Sequence, residues 1–170
     1  MQNYKARQTA LLGMLFALSM ALSFLESMLT PFLGLMPAMK LGLSNIVVLY
    51  AAGSLGLPAA LFLACLKGGF ALLTRGVTAG LLSISGGVLS ALVMWLLLQK
   101  TRASLSLVGV CGALSHNAAQ LCAAWLLTSA AVVFYLPFLV LFGVLTGLLT
   151  GLVLKLTLPP LQRIERYLLQ

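Results

Sequence analysis

Six runs of apolar residues, each broken off by a short polar or turn-forming stretch, organise this chain. They are Thr9–Thr30, Leu41–Leu55, Pro58–Thr74, Thr78–Leu98, Leu105–Thr128 and Val132–Leu156. A helix needs roughly 20 such residues to cross the hydrocarbon of a bilayer, so each run is predicted to be a membrane span. The second and third are short and separated only by Gly56-Leu57. Pro58 suits the first turn of a new helix, where its missing N–H is no loss. The predicted fold is therefore all-α and integral to the membrane: a bundle of six transmembrane helices over residues 1–158. A short amphipathic cytoplasmic tail, 159–170, follows, with Arg163 and Arg166 placed to hold anionic lipid at the inner interface. The first run continues too far to be a signal-peptide core, which is usually about 7–15 residues long, so it is expected to stay as an uncleaved span.

Composition supports the same solvent. The 170 residues are 62% hydrophobic and only 7% charged, whereas soluble domains carry roughly 25% charged residues. The net charge of +8 does not point to nucleic acid, because the basic residues gather at segment ends. They set an orientation instead. With the N-terminus inside, Lys5, Arg7, Lys100, Arg102, Lys155, Arg163 and Arg166 all fall on the cytoplasmic side. Both termini are then inside, and the expected location is the cytoplasmic membrane of a bacterium. Cys65, Cys111 and Cys122 show no CxxC spacing and are expected to be small buried packing residues. Neither a metal nor a cofactor is expected.

The polar residues inside the runs carry the functional signal. Lys67 sits halfway along the third, where an ionisable group costs at least about 2.5 kcal/mol and normally marks a pathway or ligand site. His116, Asn117 and Gln120 interrupt the fifth; Glu26, Lys40, Asn45 and Arg75 lie nearer one end of theirs. In the N-inside orientation this set concentrates in the outer half, as expected of a polar pocket opening outward. Each has a blander account. Asn45, Asn117 and Gln120 can be interhelical hydrogen-bonding links, Lys40 and Arg75 interfacial anchors, and Ser83 and Ser85 back-bonded to their own helix. Lys67 resists such an account best. The excess of Lys40, Lys67 and Arg75 over Glu26 predicts an anionic or strongly hydrogen-bonding ligand.

Small residues form two stripes. Gly143, Gly147 and Gly151 stand in consecutive GxxxG spacing on the sixth run and predict close packing inside the bundle. Ala6, Ala10, Gly13, Ala17 and Ala21 line one side of the first helix down to its cytoplasmic end, where a partner could dock.

The chain has no aspartate, and its two acids are Glu26 and Glu165. Prenyl transfer through a magnesium-bound diphosphate needs clustered carboxylates, so that catalysis is excluded. No Walker loop occurs either. An intramembrane hydrolase using Ser85 and His116 is a low-ranking rival. The chain is not expected to be an enzyme.

The stretch from Met39 through Asn45 and Gly56 to Pro58, continuing to Leu66-Lys67-Gly-Gly, together with Leu82-Ser83-Ile-Ser-Gly86-Gly87, resembles the substrate-binding S components of energy-coupling factor transporters. More closely it is similar to the family called "Gx transporter" or "heptaprenyl diphosphate synthase component I". The first resemblance implies a six-helix subunit capturing a small solute from outside, with the Ala6–Ala21 stripe meeting a scaffold membrane subunit that couples to cytoplasmic ATPases. It also implies that the outer loop 31–39 caps the ligand. The second name implies an alternative, a non-catalytic membrane partner of an isoprenoid synthase. On the leading expectation Lys67, His116, Asn117, Asn45 and Gln120 contact the ligand, with Lys40, Arg75 and Glu26 at the mouth. Lys67→Ala is expected to abolish ligand binding while the protein stays folded, checked by mass spectrometry of the intact protein and by circular dichroism.

Overall fold

The computed structural model describes the backbone of residues 2–32 and 42–169, with side chains for Ala6 and for residues 8–29 and 42–159. Residues 33–41, which include Lys40 and most of the predicted outer loop 31–39, lie outside the described residues. Six α-helices follow one another: α1 Gln2–Phe32, α2 Leu43–Ser54, α3 Leu57–Arg75, α4 Val77–Lys100, α5 Leu105–Leu127 and α6 Leu136–Leu169, with a 3-10 segment, Ala130–Tyr135, leading into α6. There is no strand among the described residues. Helices are what apolar runs must form in lipid, where every backbone group needs a partner within the protein.

Five of the six are long and apolar enough to cross a membrane, which makes this a multi-pass membrane architecture. The exception is α2. Its 12 residues rise about 18 Å, well short of the roughly 30 Å hydrocarbon. The expected six helices are present among the described residues, and the second, already short as a run in the sequence, is the largely buried one. Eight of its residues are buried, including every position from Val47 to Ala52. A helix apolar on all sides belongs in such a place.

Around α2 the core draws on every helix: Leu15, Ala60, Leu63, Ala91, Met94, Val108 and Leu154 pack with Val47–Ala52. Large apolar side chains that point outward, among them Met14, Phe24, Leu73, Leu126, Phe134 and Leu156, suit contact with lipid. Two of the three cysteines join them: Cys65 and Cys122 are exposed and only Cys111 is half-buried, which corrects the expectation that all three are buried.

Helices α3 to α6 are joined by glycine-mediated contacts that also fix their directions. Along α3 and α4, Gly80 meets Leu72, Gly68 meets Ile84 and Gly87 meets Ala64, an antiparallel register. The turn between them is Gly76, whose φ of 92° lies where side-chain-bearing residues are strained. Between α4 and α5, Gly86 meets His116 and Gly112 meets Met94. Between α5 and α6, Gly143 faces Leu114 and Asn117, Gly147 faces Gly109 and Val110, and Gly151 faces Leu105 and Ser106. The predicted packing role of the GxxxG row is therefore seen directly. α6 itself runs unbroken through Pro159-Pro160 to Leu169, so the expected division at residue 158 falls within a helix.

A Cβ added to Gly147 would lie 2.7 Å from both the Val110 nitrogen and the Gly109 oxygen, which are backbone atoms that cannot rotate away. Gly147→Ala should lower stability by about 1–3 kcal/mol. Gly13→Ala, at a site where a Cβ meets nothing within 4 Å, should not. Thermal unfolding in detergent checks the contrast.

Candidate functional site

Where α1 ends and α2 begins, the interior changes from apolar to polar. Ser23 and Glu26 of α1, Gly42 with Ser44 and Asn45 of α2, Lys67 of α3, Ser83 of α4, Ala113, His116 and Asn117 of α5, and Thr146 of α6 surround one chamber. All six helices contribute. The space that a water molecule's centre can reach is about 20 Å³, enough for a water or a small ion.

Lys67 organises it. Its ammonium donates to Ser44 Oγ at 3.1 Å and to Asn45 Oδ1 at 3.0 Å. The side chain is 4% exposed, so these acceptors replace water that it has lost. Because α2 is short, its first turn lies deep enough to meet a lysine from the middle of α3. The preceding residue, Gly42, has φ 73° and opens the helix; its N–H donates to Glu26 Oε1. A carboxylate there is stabilised by the positive end of α2. Glu26, expected at the mouth, is buried and lines the chamber.

His116 is buried, and its ring lies against Gly86, where an added Cβ would come within 2.8 Å of His116 Cε1. Gly86 thus makes the space that the imidazole occupies. Asn117 lines the chamber, but its amide donates to the Leu139 carbonyl at 2.9 Å and ties α5 to α6, the structural role weighed for it from sequence. Gln120, one turn further along α5, also packs on Gly86 and is not part of the chamber wall. Arg75 is exposed at the end of α3 and does not line the chamber, and Lys40 lies outside the described residues. The charge excess that predicted an anionic ligand is therefore not in the described chamber wall, which holds one lysine and one glutamate with His116.

Sequence reasoning missed Ser23, Ser44 and Thr146 and treated Ser83 as structural. The spacing of Ser19, Ser23 and Glu26 at four and three residues marks one face of α1 and was a usable signal. Ser44 and Thr146 gave none, since isolated hydroxyls in apolar helices usually bond back to the chain. Ser85 does that: its hydroxyl donates to the Leu82 carbonyl at 3.1 Å, and it does not line the chamber that holds His116. Among the described residues no group of three or more His, Cys, Asp or Glu could hold a metal.

The small-residue stripe predicted to dock a partner lies on the opposite side of the same helix. Ala6, Ala10, Gly13, Ala17 and Ala21 are all exposed, while Leu15, Ser19, Ser23 and Glu26 are buried. At 100° per residue the two sets fall on opposed faces.

The family model described as heptaprenyl diphosphate synthase component I matches residues 15–157. That interval contains every described residue of the chamber. No curated protein and no solved structure matches the chain.

Asn45→Leu keeps the bulk of the side chain but takes one acceptor from a buried ammonium. It should cost about 1–3 kcal/mol of stability. Arg75→Gln, at an exposed site, should stay within about 0.5 kcal/mol of wild type. Chemical unfolding in mixed micelles measures both.

Proposed function

Because this chain belongs to the heptaprenyl diphosphate synthase component I family, we propose that it is a non-catalytic membrane subunit that holds a small polar ligand group around Lys67 and works with a separate catalytic partner. The observation that carries the reading is the convergence of Glu26, Asn45, Lys67 and His116 on one buried chamber in an otherwise apolar bundle. Ionisable groups are expensive at such depth and are retained where they bind or conduct something. The chemistry of isoprenoid diphosphate synthesis would reside in the partner, since a chain whose only acids are Glu26 and Glu165 lacks the carboxylates that hold magnesium and diphosphate. The partner would be an isoprenoid diphosphate synthase subunit, and this chain its membrane anchor and ligand holder.

A second reading is favoured by the exposed small-residue face of α1. Such a face lets another membrane helix approach closely. On this reading the protein is an S-component-like subunit of an energy-coupling factor type transporter. It would sit in the cytoplasmic membrane with both termini inside, receive a small anionic solute from outside, and dock through Ala6, Ala10, Gly13, Ala17 and Ala21 on a scaffold subunit coupled to cytoplasmic ATPases. Lys67, His116, Asn45 and Asn117 would face the solute, with Gln120 and Arg75 off the chamber wall.

Native mass spectrometry of the protein purified from its own membranes in mild detergent separates the readings. Copurification with a soluble prenyl synthase subunit supports the first. A scaffold subunit with ATPases supports the second, and in that case Ala17→Leu should abolish the association without unfolding the chain. Recovery of a bare, unliganded chain under several conditions would overturn both.

A further inference from the structure

Beyond the apolar core, on the side away from the chamber, the bundle carries cations that neither reading of the function uses. Lys100 closes α4, Arg102 stands in the link 101–104 that leads into α5, and Lys155 lies on α6; all three are exposed. Basic residues at one end set an orientation, which accounts for their number but not for where they meet. Lys100 also has a local account, since it stands in the last turn of α4, where positive charge is favoured. Arg102 and Lys155 have none.

The glycine row brings these two together. Gly147 faces Gly109 and Val110, and Gly151 faces Leu105 and Ser106, so each turn along α6 matches a turn back along α5. Lys155 is the next position in that row, about 6 Å further on. There α5 has ended, and the chain beside α6 is the link that carries Arg102. Backbone against backbone at Gly151 fixes this register. Among the described side chains the one acid is Glu26, which is buried in the chamber. Glu165 stands ten residues beyond Lys155 on α6, a rise of about 15 Å. Two like charges brought to one level without an acid suit an anion from outside the chain.

The surroundings say what carries that anion. Leu107 on α5 and Leu152 and Leu156 on α6 are exposed as well, so the cations border a surface suited to acyl chains. A free phosphate gains nothing from such a border, and an amphiphile does. Two positive charges match a headgroup with more than one negative charge, a phosphomonoester or a diphosphate.

We infer that Arg102 and Lys155 form a binding site for the phosphate headgroup of an amphiphile, whose apolar tail lies against α5 and α6. Basic pockets between membrane helices take lipid headgroups in this way. The site is separate from the chamber and stands whichever reading of the function holds.

The test follows thermal unfolding of the full chain in a neutral detergent. The additives are phosphatidic acid, farnesyl diphosphate, phosphatidylglycerol and inorganic pyrophosphate, each titrated alone. Phosphatidic acid or farnesyl diphosphate should raise the Tm saturably. Arg102→Gln and Lys155→Gln should each weaken the apparent affinity about fivefold, and the double variant should not respond. Arg75→Gln, which removes one exposed charge at the other end of the bundle, should respond as wild type does. The stronger of the two responses tells a glycerolipid from an isoprenoid diphosphate. An equal response to pyrophosphate overturns the role of the tail, and an equal response to phosphatidylglycerol overturns the headgroup charge. No response in wild type, one that survives in the double variant, or an equal loss in Arg75→Gln overturns the site. A pair that serves an acidic protein instead would leave lipid binding unchanged in both single variants, which also overturns it.

Discussion

A single constraint shapes the interior: the Lys67 ammonium is buried in the middle of a membrane bundle and must be given oxygen atoms there. Side chains from the first turn of α2 supply them. That turn can be at the right depth only because α2 is 12 residues long. A full-length span would carry its first turn to the membrane surface, beyond the lysine. The short helix, the left-handed Gly42 that opens it and the glutamate on that glycine's N–H therefore form one device. Beyond that turn the buried residues Val47 to Ala52 anchor the device in the common core.

The second organising interaction is the run of glycine contacts from α3 to α6. Where backbone meets backbone, dispersion and close fit hold helices together without the hydrophobic effect, which does not act between helices in lipid. The same contacts serve the chamber. Gly86 leaves room for His116, and the Gly143 contact brings α6 against Asn117. Packing and site are built from one set of small residues, so a substitution in the helix interfaces is also a displacement of the chamber wall.

Sequence alone revealed the parts of this arrangement that are chemically conspicuous. Lys67 was legible because a charge in an apolar run has few structural excuses, and His116 and Asn45 gained weight from its company. The helices themselves were legible from the length of the runs. The shortness of the second run was legible too, but nothing local in Leu41–Leu55 says where the first turn of α2 forms. Depth misled in the other direction for Arg75 and Glu26. Both lie toward the same end of their helices, but one turns outward and the other inward, a matter of rotation that a lone charge does not reveal. Cys65 and Cys122 were misjudged for the same reason, since an apolar residue in lipid gains nothing decisive by facing inward.

The helices do not share equally in the packing. Only 17% of the α1 span is buried, against 33% for each of α3, α4 and α5. Yet α1 supplies Ser23 and Glu26 to the polar interior. The wall that α1 contributes is thus the one least embedded in its neighbours. Lateral pressure and bilayer thickness therefore reach the polar compartment most directly through that helix.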